Sequence, residues 1–404
     1  MDKNIFELST GQLKEIATSL QARVDEGLSK DMQQVQCIPT YISPKVDNIE
    51  GQALVLDLGG TNYRVAIVDF DKEGRTTIRP ENGFKKDLSI MKNAGFTEEQ
   101  LFAEQADLIT EVKRDKEGPI GYCFSYPAES TPDGDGTLLR WTKGVDIPSM
   151  IDKPIGKTLL DYLNNKIAPP KFTGVKVIND TVASLFAGLT RSDYDAYIGL
   201  IVGTGTNMAT FINAERIAKL DKKLGIEGLI PINLESGNFI PPHLTKVDAM
   251  VDALSDNKGA QRFEKAVSGM YLGEVLKAAF PFDEFEDKFD AQKLTTIMSY
   301  PDIHRERHVN VARWIYERSA KIVAASIAGL VLVLKSHDSS IKRIRLVAEG
   351  SLFWSEDRKG TDYKDLVDEH LKILLESFGH KDVMVDIHSM VNANLIGSAI
   401  AALS

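Results

Sequence analysis

Cysteine is nearly missing from this 404-residue chain, in which only Cys37 and Cys123 occur. The two lie far apart in sequence and without a second pair, so they indicate neither a disulfide framework nor a zinc site. Basic residues are outnumbered as well, since 48 lysines and arginines face 58 acidic residues, for a formal net charge of −10. We therefore expect neither nucleic acid nor an anionic membrane as a partner.

Long hydrophobic runs are also missing. The longest, residues 322–334, lies between Lys321 and Lys335 and is shorter than a bilayer requires. Its Ala- and Ser-rich start favours a buried helix. The first 28 residues carry Leu and Ile at helical spacing but no apolar signal core. These features predict a cytoplasmic protein without a membrane anchor.

Two sequence motifs are present only in incomplete form. Pro154-Ile155-Gly156-Lys157-Thr158 resembles the end of a Walker A loop, but Ile151 stands where that loop needs glycine. His304 and His308 have the i,i+4 spacing of a helix, within a charged run that offers no third ligand. We therefore predict neither a P-loop nor a metal site held by these histidines.

The length and composition predict two domains or one bilobal unit with a sizeable core. Hydrophobic residues make up 43% of the chain and charged residues 26%, which is ordinary for a globular protein. We expect an N-terminal helical segment over residues 1–45, ending in a linker at 39–44 and packing on the larger lobe. The small lobe is predicted over residues 46–180 together with about 390–404, and the large lobe over 181–389.

One glycine turn occurs twice. A predicted strand at 54–57 leads into Gly59-Gly60-Thr61-Asn62, and a predicted strand at 197–202 leads into Gly203-Thr204-Gly205-Thr206-Asn207. Glycine lets such a turn approach a ligand closely, and its free N–H groups form an anion cradle. Two cradles, one in each half, predict a duplicated α/β scaffold that holds a polyphosphate across a cleft. The alternative for either turn is a hairpin that binds no phosphate.

Two aspartates follow predicted strands. Asp57 precedes the first turn and could hold Mg²⁺ through water, since Mg²⁺ prefers oxygen ligands and retains waters. The alternative is an aspartate that only stabilises the turn. Asp180 lies where a strand runs into a helix, and it could take a proton from a substrate hydroxyl as the hydroxyl attacks phosphorus. Its alternative role is a plain helix N-cap.

Polar residues on loops suggest a polyol substrate. Lys143 could neutralise charge on the transferred phosphoryl group, while Ser125 and Thr142 bind sugar hydroxyls. Glu235 and Glu264 could accept hydrogen bonds from other hydroxyls, because carboxylates are acceptors facing donors. Taken singly, each is equally well an ordinary surface residue.

Taken together, these segments resemble the hexokinase family from about residue 50 to the C-terminus. The segments that carry the resemblance are, in chain order, Leu56-Asp57-Leu58-Gly59-Gly60-Thr61-Asn62-Tyr63-Arg64, Phe124-Ser125-Tyr126-Pro127, Trp141-Thr142-Lys143-Gly144, Asn179-Asp180-Thr181-Val182, Gly203-Thr204-Gly205-Thr206-Asn207, Ile232-Asn233-Leu234-Glu235-Ser236-Gly237, Phe263-Glu264-Lys265-Ala266-Val267-Ser268-Gly269-Met270-Tyr271 and Val347-Ala348-Glu349-Gly350-Ser351-Leu352. No single segment is decisive, but their order and spacing together are highly specific.

The resemblance implies a duplicated actin-like ATPase (ribonuclease H-like) α/β fold, with two lobes around a cleft. It implies phosphorylation of a hexose, with glucose favoured, at the 6-hydroxyl by ATP as co-substrate. Asp180 would be the general base, Lys143 would stabilise the phosphoryl group, and Asp57 would hold Mg²⁺ through water. The implied sugar contacts are Ser125, Thr142, Lys143, Asn179, Asp180, Asn207, Glu235 and Glu264. The implied phosphate and nucleotide contacts are Gly59, Gly60, Thr61, Asn62, Arg64, Gly203, Thr204, Gly205, Gly350 and Ser351.

The chain departs from the family pattern at three places. Glu349 stands where many members have aspartate, Ser236 replaces the usual aromatic residue after Glu235, and residues 392–399 lack the glycine-rich entry to the last helix. We expect one catalytic unit, acting as a monomer or homodimer. The alternatives are a kinase for fructose, mannose or an amino sugar, a sugar sensor with little turnover, and an actin- or chaperone-like ATPase without a sugar.

Overall fold

The computed structural model describes residues 5–44, 49–59, 62–112, 117–358 and 360–404. The helices are α1 (Thr10–Ser29), α2 (Glu98–Glu111), α3 (Ile155–Lys166), α4 (Asp180–Ala187), α5 (Lys246–Leu254), α6 (Arg262–Val267), α7 (Gly269–Ala279), α8 (Ala291–Ser299), α9 (Glu306–His337), α10 (Tyr363–Ser377) and α11 (Ala393–Leu403). The strands are β1 (Ile38–Pro39), β2 (Gly51–Leu58), β3 (Asn62–Phe70), β4 (Thr76–Asp87), β5 (Gly118–Phe124), β6 (Ala128–Ser130), β7 (Gly136–Leu138), β8 (Phe172–Ile178), β9 (Ala196–Val202), β10 (Thr206–Asn213), β11 (Leu229–Asn233), β12 (Arg343–Glu349) and β13 (Met384–His388).

Two sheets with one plan organise the described chain. In the first sheet the order is β4-β3-β2-β5-β8, where β2, β3 and β4 form an antiparallel meander and β5 and β8 run parallel to β2. In the second, β11-β10-β9-β12-β13 repeats this order and these directions. In each sheet the first two strands of the meander are joined by a glycine turn. The duplication predicted from the two turns is therefore confirmed.

The helices α4 and α11 form the layer between the two sheets. One apolar cluster joins Val55 and Ala66 of the first sheet to Tyr197 and Val347 of the second through residues of these two helices. The small residues of α11 allow this packing, because a Cβ on Gly397 would meet the Ala183 carbonyl oxygen of α4 at 1.8 Å. The last helix thus returns to the first half of the chain, against β2 and β5.

The N-terminal helix α1 packs on α9, in the core of the second sheet. Ser9 is the N-cap of α1 and forms a capping box. Its hydroxyl accepts from the Gln12 backbone amide, and the Gln12 side chain accepts from the Ser9 backbone amide. The prediction of a linker over residues 39–44 is wrong at residue 39. This residue lies in β1, which pairs antiparallel with β11. Proline is tolerated there because β1 is the edge strand of the sheet.

The helix α9 contains the long apolar run. By length and composition it is the one helix in the described residues that could cross a membrane, and 83% of its most apolar stretch is buried inside the protein. The expected buried helix is confirmed, although at 32 residues it is longer than the run suggested. His304 lies before α9, so the two histidines do not share a helix as their spacing indicated. His308 is buried and its ring bonds Asp283 at 2.6 Å rather than lying on a charged surface.

Candidate active site

A cleft of about 990 Å³ opens between the two sheets. Most of the residues predicted from the sequence line it, namely Ser125, Thr142, Lys143, Asn179, Asp180, Gly203, Thr204, Gly205, Asn207, Glu235, Glu264, Gly350 and Ser351. They come from both halves of the chain, from segments separated by more than 200 residues. The fold therefore gathers the sugar-type and phosphate-type residues around one space.

The first glycine turn joins β2 to β3. The Gly59 amide donates to the Asn62 carbonyl at 2.9 Å, which closes the turn. Asp57 is the second-last residue of β2 and is paired in register with Arg64 of β3, whose Nε donates to Asp57 Oδ2 at 2.9 Å. These residues do not line the cleft directly. The predicted contacts Gly60 and Thr61 lie outside the described residues.

The second glycine turn joins β9 to β10 and is contacted by the start of α7 and by the segment after β12. Its first residue, Gly203, accepts a hydrogen bond from the Gly269 amide at 2.6 Å, at the start of α7. Gly350 follows β12 with φ +112°, and a Cβ on it would meet the Val202 carbonyl oxygen at 2.3 Å. Only glycine fits this close approach of two backbones. The result is a glycine-lined wall that also contains Thr204 and Ser351.

Asp180 is the first residue of α4, and Asn179 is the actual N-cap. Asn179 occupies the N-cap position, and its side chain shares the Thr181 amide with Asp180, at 2.9 and 2.8 Å. Burial raises the pKa of Asp180, and the Lys143 ammonium and the Thr181 amide only partly oppose this, while the Asp57 carboxylate adds to it. A carboxylate with a raised pKa is a better proton acceptor than an ordinary surface aspartate.

Lys143 lies on the loop after β7, with a positive φ of +59°. Its ammonium donates to the Ser125 carbonyl at 2.7 Å and lies 5.1 Å from the centre of the Tyr126 ring. Ser125 itself follows β5, and its amide donates to the Leu58 carbonyl at the end of β2. The Lys143 ammonium thus contacts the loop that lies beside the first glycine turn.

A hydrogen-bonded chain of side chains positions Glu235. Asn207 donates from its amide nitrogen to Asn233 Oδ1 at 2.7 Å, and Asn233 donates in turn to Glu235 Oε1 at 2.8 Å. The backbone amide of Ser236 donates to Asn207 Oδ1 at 3.1 Å, which closes the group. Burial raises the pKa of Glu235, the bond from Asn233 lowers it, and the Asp180 charge raises it further.

Glu264 reaches the same space from α6. Its Oε2 accepts from the Thr206 amide at 3.0 Å, directly after the second glycine turn. A Cβ on Gly205 would meet that oxygen at 2.6 Å, so the glycine makes room for the carboxylate. Burial raises the pKa of Glu264, and the Thr206 amide opposes this while Glu235 adds to it. Three carboxylates with raised pKa values therefore face one cleft.

The chemistry of the donor set fits an Mg²⁺ ion that is held mainly by phosphate. No group of three or more metal-ligating side chains occurs in the part of the chain that the structure describes. Asp57 supplies a single buried carboxylate at the first turn, which suits an ion that keeps several waters. Glu349 lies at the end of β12, and burial raises its pKa to about 7 despite the Arg64 charge.

Three residues of the site escaped the sequence analysis. Gln261, Arg140 and Asn233 line the cleft. Gln261 directly precedes α6 with φ +54°, and its side-chain oxygen would be 2.4 Å from a Cβ on Gly237. Gln261 and Asn233 lie within three residues of predicted glutamates, and this proximity was the only signal that could have identified them.

Comparison with known proteins supports the resemblance that these segments carry. Two family models, both described as hexokinase, match the chain, the first over residues 3–190 and the second over residues 197–281 and 282–404. Hexokinase-2 of Schizosaccharomyces pombe is 28% identical over 99% of this chain and 95% of its own length. Hexokinase-2 of Solanum tuberosum is 31% identical over 84% of this chain and 70% of its own.

A solved structure shows the same fold. The hexokinase from Schistosoma mansoni, described as complexed with glucose, superposes with a TM-score of 0.77 and 24% identity, over 99% of this chain and 97% of its own. The predicted duplicated, two-lobed α/β fold is confirmed. The two family models together cover nearly the whole sequence, and the predicted motifs meet in one cleft. The chain therefore belongs to the hexokinase family.

Proposed function

We propose that the protein transfers the γ-phosphoryl group of Mg-ATP to the 6-hydroxyl of a hexose, with glucose as the first candidate. The observation that carries this proposal is the shared cleft, in which Asp180, Glu235 and Glu264 face the glycine wall at Gly203 and Gly350. Acceptor carboxylates suit a polyol, and a glycine wall suits phosphates. The hexokinase names of the relatives support the same reaction.

Asp180 is the proposed general base. Its raised pKa makes it a stronger proton acceptor, and it takes the proton of the 6-hydroxyl as the oxygen attacks phosphorus. Lys143, whose ammonium donates to the Ser125 carbonyl, stabilises the negative charge of the transferred group. Asn207, Glu235 and Glu264 orient the sugar so that only one hydroxyl reaches Asp180.

The phosphate side uses backbone groups and few charges. The turns at Gly59 and Gly203 and the Gly350 segment offer backbone N–H groups to the triphosphate. Asp57 would hold Mg²⁺ through water, and a bound ion would supply positive charge against the phosphates. Arg64 donates a hydrogen bond to Asp57 and so holds that carboxylate in place.

The proposed reaction indicates the pathway and the cell compartment in which we expect the protein to act. Its product, a hexose 6-phosphate, enters glycolysis, and the acidic net charge is consistent with a cytoplasmic enzyme without nucleic acid or membrane partners. We propose that it acts as a monomer or homodimer. Among the other functions considered, the sugar sensor fits the cleft geometry best, but it does not require a base and a lysine together with a phosphate wall.

The test is sugar-dependent release of ADP from Mg-ATP, measured with glucose, fructose, mannose and N-acetylglucosamine. The variant Asp180→Ala is expected to lower the rate by about 10²–10⁴-fold, the usual contribution of a general base. Asp146→Ala is the matched control, since Asp146 is exposed on a nearby loop outside the cleft lining. Equal turnover with and without every sugar would favour the actin-like ATPase. Sugar binding without turnover would favour the sensor.

A further inference from the structure

The side chain of Tyr126 lies between the loop that carries Lys143 and Gly59 of the first glycine turn. Its ring packs edge-on against Trp141, with centroids 4.8 Å apart, and in a tilted arrangement against Phe124, with centroids 5.2 Å apart. The Lys143 ammonium lies over the same ring. The tyrosine is almost fully buried, at 4% exposure. Its ring is therefore fixed in place, and it carries the cation assigned to phosphoryl stabilisation.

The hydroxyl group of Tyr126 makes a contact that ring packing does not require. It donates to the Gly59 carbonyl oxygen at 2.9 Å. Gly59 is the first residue after β2, and its amide closes the first glycine turn. Burial raises the pKa of Tyr126 to about 12, so the phenol stays protonated and remains a donor at neutral pH. The two ends of this side chain thus contact the turn and the Lys143 ammonium.

We propose that Tyr126 is a positioning residue that holds the first phosphate turn at a set distance from the Lys143 ammonium. The inference rests on the proposed function, since it concerns the site for the ATP phosphates. Tyr126 acts through Gly59 and Lys143. When its hydroxyl is lost, the Gly59 carbonyl loses this hydrogen bond and Gly59 is less firmly held, while the ring and the sugar contacts remain.

The same cluster of buried residues offers a matched comparison. Tyr63 is also fully buried, lies just after the same turn on β3, and belongs to the same apolar cluster as Tyr126. In the part of the chain that the structure describes, its hydroxyl has no hydrogen-bond partner. Tyr63→Phe therefore removes the same atom from the same region without breaking a contact to the turn.

The experiment compares Tyr126→Phe, Tyr63→Phe and the unmodified protein in three measurements. These are KM for Mg-ATP and for glucose, the affinity for Mg-ADP by calorimetry, and the melting temperature. Loss of one buried hydrogen bond predicts that Tyr126→Phe raises the KM for Mg-ATP and the dissociation constant for Mg-ADP by about three- to tenfold. The KM for glucose should stay within about twofold, and Tyr63→Phe should leave all of these constants unchanged.

The outcomes separate the inference from the proposed function. Unchanged nucleotide constants in Tyr126→Phe would overturn the positioning role. So would equal losses for both substrates together with a lowered melting temperature, because that pattern indicates a purely structural role. If the unmodified protein phosphorylates no sugar, the proposed function fails. The Mg-ADP affinities of the two variants then still decide whether Tyr126 holds the turn.

Discussion

Asn233 provides the sharpest test of how the sugar site is built. One side chain accepts from Asn207 at 2.7 Å and donates to Glu235 at 2.8 Å, and it is 6% exposed. Asn233→Ala removes both of these bonds, and also a longer one that Asn233 Oδ1 accepts from the Glu235 backbone amide at 3.3 Å. It leaves the Asn207 amide and the Glu235 carboxylate without a shared partner. The perturbation is therefore specific to the orientation of two proposed sugar contacts.

The size of the effect follows from the two shorter of the lost bonds, those to the Asn207 amide and the Glu235 carboxylate. Each typical buried hydrogen bond contributes about 1 kcal/mol, so the pair contributes about 2 kcal/mol. If that energy serves sugar binding, the KM for glucose rises about thirtyfold. The KM for Mg-ATP should not change, because the glycine wall does not depend on Asn233. Steady-state kinetics with each substrate varied in turn separates the two constants.

Two further variants complete this test. Asn213→Ala removes one bond at the far end of β10, where Asn213 accepts from the Glu215 amide, and should leave both KM values unchanged. Asn233→Asp keeps the acceptor but places a second carboxylate against Glu235. Glucose binding, followed by tryptophan fluorescence, should then be weak at neutral pH and recover as the pH falls and one carboxyl group protonates. A glucose KM within twofold of normal in Asn233→Ala would refute the reasoning.

Three other predictions concern stability and pH. Gly397→Ala should lower the free energy of unfolding by about 1–3 kcal/mol in urea titrations, because its Cβ meets the Ala183 carbonyl. Arg318→Met should cost about 3–5 kcal/mol, since it leaves the buried Asp248 carboxylate unpaired. Burial alone would raise the pKa of Asp248, but Arg318 and its hydrogen bonds lower it, so this stability is present above the ordinary pKa of about 3.9 and lost as the pH falls below it. Because the pKa of Asp180 is raised, kcat/KM should fall on the acid side at higher pH than for an ordinary aspartate, and a profile flat to about pH 4.5 would contradict the assignment.

The glycine turns could be predicted because their requirements are local. A turn that brings backbone close to a ligand needs glycine at fixed positions between two apolar runs, and both runs are continuous in sequence. The match of Gly203 and Gly205 to Gly59 therefore indicated a repeated unit. The repeated strand order of the two sheets confirms it. The buried helices α4 and α9 were predictable for a similar reason, since their apolar content is local.

The contacts that the sequence did not reveal depend on distant pairing. The strand β1 exists only because β11 offers it an edge, with Ile38 opposite Asn233, and two residues alone give no periodic pattern. Gln261 reaches the cleft through a left-handed backbone conformation, which side-chain chemistry does not indicate. Asn233 looks like any strand residue until β10 places Asn207 beside it. These residues needed the tertiary structure.

The entry to the last helix shows how an atypical position can be satisfied in two ways at once. Asn392 begins α11 with φ +62°, a conformation that asparagine adopts more readily than most residues. Its side chain accepts from Arg64 at 3.3 Å and donates to Asn82 at 2.9 Å. Arg64 in turn binds Asp57. A glycine here would meet the backbone requirement alone, whereas asparagine also connects the start of α11, through Arg64, to the carboxylate proposed to hold Mg²⁺. The start of α11 and the proposed phosphate site therefore share one hydrogen-bonded group, so loss of the Asn392 side chain changes the surroundings of Asp57.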